Sequence, residues 1–166
     1  RERDQSGPGI MEVGLRKSLR EWRFAMIALG THIIAELSQC RQDRLADLDL
    51  VRNAMVQAAQ EAGAEVREVA FHRFSPQGVS GVVVIAESHL SIHTWPELGY
   101  AAIDVYTCGL HTDPERACRY LAEFLGSRQM TLTTLDRGLP RPGGAFGHSL
   151  RSEDEVPPAR LAAVGS

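Results

Sequence analysis

The stretch VSGVVVIAESHLSIHTWPE, residues 79–97, decides the fold. Its first half, GVVVI, reads as a plain buried strand. Its second half, HLSIHTW, reads as another, and in an extended chain His89, Ser91, His93 and Trp95 share one face because side chains repeat every two residues. Only AES separates the two, so they form an antiparallel hairpin. The same stretch packs two serines, two histidines, two glutamates and a tryptophan into residues 86–97. A core strand thus runs directly into groups that transfer protons or attack carbonyls.

Working outward, AEVREVAFHRF before the SPQG turn alternates as a strand, and GYAAIDVYTCG after Pro96 does the same. THIIAEL is an earlier strand and QMTLTTL a later one. DRLADLDLVRNAMVQAAQEAG predicts one helix with Leu48, Val51, Met55, Ala58 and Ala62 on a single stripe, stopped by Gly63. A second helix starts at Asp113, an N-cap followed by Pro114 at N1. It turns Ala117, Leu121 and Phe124 inward and ends at Gly126. The predicted order is β-α-β-β-β-β-α-β, an α+β fold with an antiparallel sheet and two helices on one face. The other face needs a cover, which a second subunit can supply.

Residues 29–138 are expected to form the domain. Residues 1–28 read as an extension, polar to Gly9 and then a short basic amphipathic helix on Leu15, Leu19 and Trp22. After Arg137 the Pro and Gly content rises, and residues 139–166 read as a flexible tail. With 166 residues the chain suits one domain, and the formal charge of −3 gives no reason to expect nucleic acid. No apolar run is long enough to span a membrane, and no leader with an apolar centre and small-residue cleavage site is read. Cys40, Cys108 and Cys118 are odd in number and widely spaced, which points away from a disulfide framework and toward the reducing cytoplasm.

Spacing yields a candidate polar cluster of Ser80, Ser88, His93, Glu97 and Cys108, but no reaction. His89, His93 and Glu97 can be read as a facial metal triad, or as one solvent-facing and one hydrogen-bonded histidine. Ser80 and Ser88 read equally as strand-end hydroxyls. Cys108, where a strand opens into a loop beside glycine, is either a small buried hydrophobe or a reactive thiol. Phe74 reads as core or pocket wall. No G-x-S-x-G elbow supports a hydrolase.

The run FHRFSPQGVSGVVVIAESHLSIHTWPELGYAAIDVYTCG, residues 71–109, closely resembles the short, pyruvoyl-dependent class of prokaryotic S-adenosylmethionine decarboxylase proenzymes. The likeness extends from about Leu29 to about Gly138. It implies a precursor that cuts itself between Glu87 and Ser88. The Ser88 hydroxyl attacks the Glu87 carbonyl, the amide becomes an ester, and elimination leaves dehydroalanine, which becomes a pyruvoyl group. That ketone forms a Schiff base with S-adenosylmethionine and serves as an electron sink as CO2 leaves. The resemblance gives His93 a role in elimination, Ser80 a supporting role in processing, and Cys108 the part of proton donor to the decarboxylated carbon. Glu97 would bind the ribose hydroxyls and Phe74 would stack on adenine. It also implies a dimer of αβ protomers packed sheet to sheet, no metal, and a product that donates aminopropyl groups for spermidine and other polyamines.

The chain departs from that pattern in its N-terminal extension, in Thr31 where relatives often carry a basic residue, and in AES where SES is commoner. Other readings stand beside this one. The same scaffold could decarboxylate arginine or ornithine, the chain could be an inactive subunit that activates a partner, or the histidines could hold a metal.

Overall fold

The computed structural model describes residues 28–108 and 111–151. Seven strands form one antiparallel sheet: β1 (Gly30–Ser38), β2 (Val66–Arg73), β3 (Val79–Ile85), β4 (Ser88–Trp95), β5 (Tyr100–Thr107), β6 (Gln129–Pro140) and β7 (Phe146–Leu150). Their order across the sheet is β2-β3-β4-β5-β1-β6-β7. The hairpins β2–β3, β3–β4 and β4–β5 pair as neighbours in chain order, as their short connections demand. The basic helix expected over 15–23 lies outside the described residues.

Three helices, α1 (Gln42–Ala46), α2 (Leu48–Glu61) and α3 (Pro114–Leu125), cover one face. Alternation along each strand decides what they bury. Ile33, Ala35 and Leu37 of β1, Leu90 and Ile92 of β4, and Ile103 and Val105 of β5 point into a core closed by Val51, Met55 and Ala58 of α2 and Leu121 and Leu125 of α3. Gly81 belongs to this arrangement, because a Cβ there would lie 2.0 Å from the Phe71 ring that crosses it. Every second residue faces the other way. On that uncovered face His89, Tyr106, His32 and Leu135 line up across β4, β5, β1 and β6, as do Ser80, His93, Ala102 and Glu36 across β3, β4, β5 and β1.

The single helix read over 43–63 is two. Asp47 leaves the helical conformation at φ −91°, ψ 111° and its side chain accepts from the Asp49 and Leu50 N–H groups at 2.9 and 3.0 Å. An N-cap inside an amphipathic pattern starts a new helix without breaking the apolar stripe. In α3 the last turn buries Leu125 fully, next to Phe124, which packs partly buried against the core. Phe124 lies partly out, stacked on Tyr120 with the Arg44 guanidinium 5.5 Å above its ring.

Within the tail expected to be flexible from residue 139, the described residues 139–151 include strand structure. β6 runs on to Pro140, Gly143 and Gly144 turn the chain at φ 77° and 78°, and β7 pairs back on β6. The Pro and Gly enrichment marks a turn. Arg151 closes this addition: its guanidinium grips the Asp136 carboxylate and donates to Thr31 Oγ1 at 3.3 Å. The Asp136 side chain is only 6% exposed. Arg151→Ala would strand that carboxylate in the interior, and removing one partner of a buried pair costs about 3–5 kcal/mol. A lowered denaturant midpoint at neutral pH, recovered in part by Asp136→Asn in the same chain, is the expected result.

Candidate active site

The hairpin between β3 and β4 leaves two residues, Ala86 and Glu87, to turn the chain, since Ile85 pairs with Ser88. Two-residue hairpins favour positive φ and therefore glycine or asparagine. Here Glu87 takes φ 75° and Ser88 φ 153° with no glycine to absorb them. Residues in such conformations each hold about 1–3 kcal/mol of strain. The strained peptide is the Glu87–Ser88 bond. It is pinned from both sides, by the Ala86 N–H on the Glu65 carbonyl at 2.8 Å and the Cys108 N–H on the Glu87 carbonyl at 3.2 Å. The Ser88 Oγ lies 3.4 Å from His89 Nδ1.

Cys108, the residue after β5, lies beside this bond. Tyr106 lies two residues earlier on the same face of the strand. Burial and then the Cys108 sulfur push the phenol up from its ordinary range, against the Arg137 guanidinium 4.8 Å over the ring. Gly30 makes room for this, because a Cβ there would stand 2.7 Å from Tyr106 Cε2 and 2.8 Å from the Thr107 carbonyl. The other cysteines are placed differently. Burial, with Glu115 and Asp113 adding to it, pushes the Cys118 thiol to about 12, and burial raises Cys40 too.

A second group sits at the far end of the open face. Ser80 and His93 are register partners, with Oγ 2.7 Å from Nδ1. They line a shallow hollow of about 380 Å³ with Ala70, His72, Val82 and Ser91. Phe74 is half exposed and stands edge-on to His72 of that lining. Glu97, in the single 3-10 turn after β4, accepts from Gln77 Nε2 at 3.1 Å. Trp95 stacks on Tyr100, whose phenol bonds to Glu36 and is thereby held up to about 12.

The polar cluster read from the sequence is therefore two clusters. His93 follows Ser88 by five residues of extended strand, a separation of roughly 16 Å at about 3.3 Å per residue. Glu87, Ser88 and Cys108 gather at one end, and Ser80, His93, Glu97 and Phe74 at the other. Among the described residues no group of three His, Cys, Asp or Glu side chains is placed to hold a metal ion. Between the ends, Asp104 accepts from Ser91 at 3.0 Å and pairs with His32 at 3.3 Å.

A sequence profile described as S-adenosylmethionine decarboxylase matches residues 31–138. This chain belongs to that family. The match takes in both clusters and stops short of β7. The S-adenosylmethionine decarboxylase proenzyme of Caldicellulosiruptor saccharolyticus is 63% identical over 114 residues, 69% of this chain and 92% of that protein. The proenzyme of the same name from Moorella thermoacetica is 58% identical over 125 residues, 75% of this chain and all of that one. Among solved structures, the adenosylmethionine decarboxylase of Aquifex aeolicus superposes with a TM-score of 0.65 at 34% identity, covering 72% of this chain and 98% of that one. The likeness extends the sequence-level resemblance to the three-dimensional fold.

Sequence reasoning missed three residues around the first cluster. His89 appeared only as a possible metal ligand, and Tyr106 not at all. Thr107 had a readable signal, a hydroxyl at an inward position of an alternating strand.

Proposed function

We infer that the chain is made as a precursor that cuts itself between Glu87 and Ser88 and then decarboxylates S-adenosylmethionine. Family membership over residues 31–138, shared with relatives that are themselves named proenzymes, carries this reading over arginine or ornithine as substrate. The strained Glu87–Ser88 bond suits a chain that cleaves there, since rupture releases the distortion. Ser88 is also the right residue to become a pyruvoyl group, with a hydroxyl on the carbon that becomes its methyl. That group supplies a ketone able to take up electrons as CO2 departs.

This chain's residues divide the remaining work. Cys108, beside Ser88, returns a proton to the product carbon. Glu97 binds ribose hydroxyls and Phe74 stacks on adenine. The product serves polyamine synthesis as an aminopropyl donor. No helix among the described residues is long and apolar enough to cross a membrane, and we place the enzyme in the cytoplasm.

The roughly 16 Å between Ser88 and His93 is resolved by a homodimer. Two chains packed with their uncovered faces together, related by a two-fold axis, would set the His93, Ser80, Glu97 and Phe74 end of one over the Ser88 and Cys108 end of the other. Val84 and Trp95, exposed at 39% and 38% on that face, would become buried. Such a dimer holds two composite sites.

Mixing tests this arrangement. Ser88→Ala and His93→Ala chains are each expected to stay uncut alone. Co-expressed, they form heterodimers in which an intact Ser88 meets an intact His93 from the other chain. Cleavage of the His93→Ala chain in the mixture, followed by CO2 release from S-adenosylmethionine, is the expected result. Uncut chains in a mixture shown to contain heterodimers would overturn the shared site. CO2 from arginine or ornithine instead would overturn the substrate.

A further inference from the structure

Four polar side chains are buried in the described fold: Thr31, Thr94, Thr107 and Asp136. Three are bonded. Thr94 Oγ1 accepts from the Val79 N–H at 2.8 Å and donates to the Leu45 carbonyl at 2.9 Å. Thr31 and Asp136 are held by Arg151. Thr107 Oγ1 has no hydrogen-bond partner among the described residues, although Thr107 is only 1% exposed. A buried hydroxyl without a partner is destabilising, and valine would fill the same space without that penalty. Its presence calls for a use outside folding.

Its position supplies one. Thr107 stands directly opposite Ser88 in the β4–β5 ladder. The Cys108 N–H donates to the Glu87 carbonyl, the bond that flanks a non-hydrogen-bonded pair. In such pairs the facing side chains come closest, with Cα atoms about 4.5 Å apart. On its other flank Thr107 pairs with Thr31, whose oxygen already accepts from Arg151. The unpartnered hydroxyl thus belongs to the residue that faces Ser88 across the ladder, next to the strained peptide in sequence.

We propose that the Thr107 hydroxyl is a second donor, with the Cys108 N–H, to the Glu87 carbonyl oxygen as Ser88 adds to it. The inference rests on the self-cleavage described above. In that step the Ser88 Oγ–C bond forms and the carbonyl electron pair moves onto its oxygen. Collapse breaks the C–N bond, and the proton lost by the hydroxyl ends on the freed nitrogen, leaving an ester. Oxygen gains full negative charge only in the adduct, so a donor idle in the resting precursor acts where it lowers the barrier.

Thr107→Val keeps the shape and removes the donor. Loss of an oxyanion donor slows a reaction by about 10²–10³-fold, so precursor cleavage, followed by intact mass, should slow by about 10²-fold. The melting temperature should hold or rise, and Thr107→Ser should cleave near the wild-type rate. Hydroxylamine identifies the step, because it cuts an ester once formed. It should restore chain cleavage in His93→Ala, where elimination is impaired, and fail to do so in Thr107→Val, where the ester forms slowly. Wild-type cleavage in Thr107→Val would overturn the proposal while leaving the pyruvoyl reading intact. Rescue of Thr107→Val by hydroxylamine, or slow cleavage in Thr107→Ser as well, would overturn it too. A wild-type chain that never cleaves would instead remove the reading on which it rests.

Discussion

Ser88→Ala is expected to remain a single chain of full mass with no decarboxylase activity, while the wild type separates under denaturing conditions into residues through Glu87 and residues from a modified position 88. Ser88 is asked for both the attacking oxygen and the carbon skeleton of the ketone, so no neighbour can take its place. His89 Nδ1, 3.4 Å from the hydroxyl, carries no carbon that could be converted. The variant should fold and associate normally, since alanine removes one partly exposed hydroxyl at a turn. The wild-type second chain should react with borohydride or hydroxylamine as a ketone does. Ser88→Cys should cleave slowly, because a thiol makes the same acyl shift. An active wild-type preparation that stays one uncut chain would end the pyruvoyl mechanism.

Cys108→Ala should separate maturation from turnover. What Cys108 gives the scissile bond is its backbone N–H on the Glu87 carbonyl, and alanine keeps that group. Cleavage should therefore proceed. What is lost is the thiol beside Ser88, the group assigned to protonate the product carbon. A general acid typically contributes about 10²–10⁴-fold, and a loss of that size in kcat is expected. Neither remaining cysteine can stand in. Cys118 is fully buried on the inner side of α3 with its thiol pushed to about 12, and Cys40 is buried just past the opposite end of β1. Full turnover in the cleaved variant would take Cys108 out of the chemistry.

Alternation and turn chemistry made most of the fold legible. The GVVVI and HLSIHTW runs pair as read, and Asp113 with Pro114 opens α3 as read. Asp47 was hidden because an N-cap inside a continuous apolar stripe leaves the 3.6-residue period undisturbed. β7 was hidden because FGHSL is too short and too polar to show a period beside RPGG, and its stability comes from a distant carboxylate, Asp136, on the strand it covers. The site was legible differently. Residue types and spacing marked Ser80, Ser88, His93, Glu97 and Cys108, but their roles came from resemblance. The rise per residue alone already forbids Ser88 and His93 from touching within one strand, a constraint that reading them as one cluster overlooked.

The β7 addition also bears on how the protein survives before it matures. Were the chain to end at Gly138, where the family likeness stops, β6 would become the margin of the sheet. A twelve-residue strand with a free rank of N–H and C=O groups is a template for edge-to-edge stacking with other chains. β7 occupies that margin and replaces it with a shorter one of five residues, reached through a turn that holds Pro142. Family homology and physical self-sufficiency thus draw different borders. Residues 146–150 thereby act as a guard against edge-to-edge aggregation.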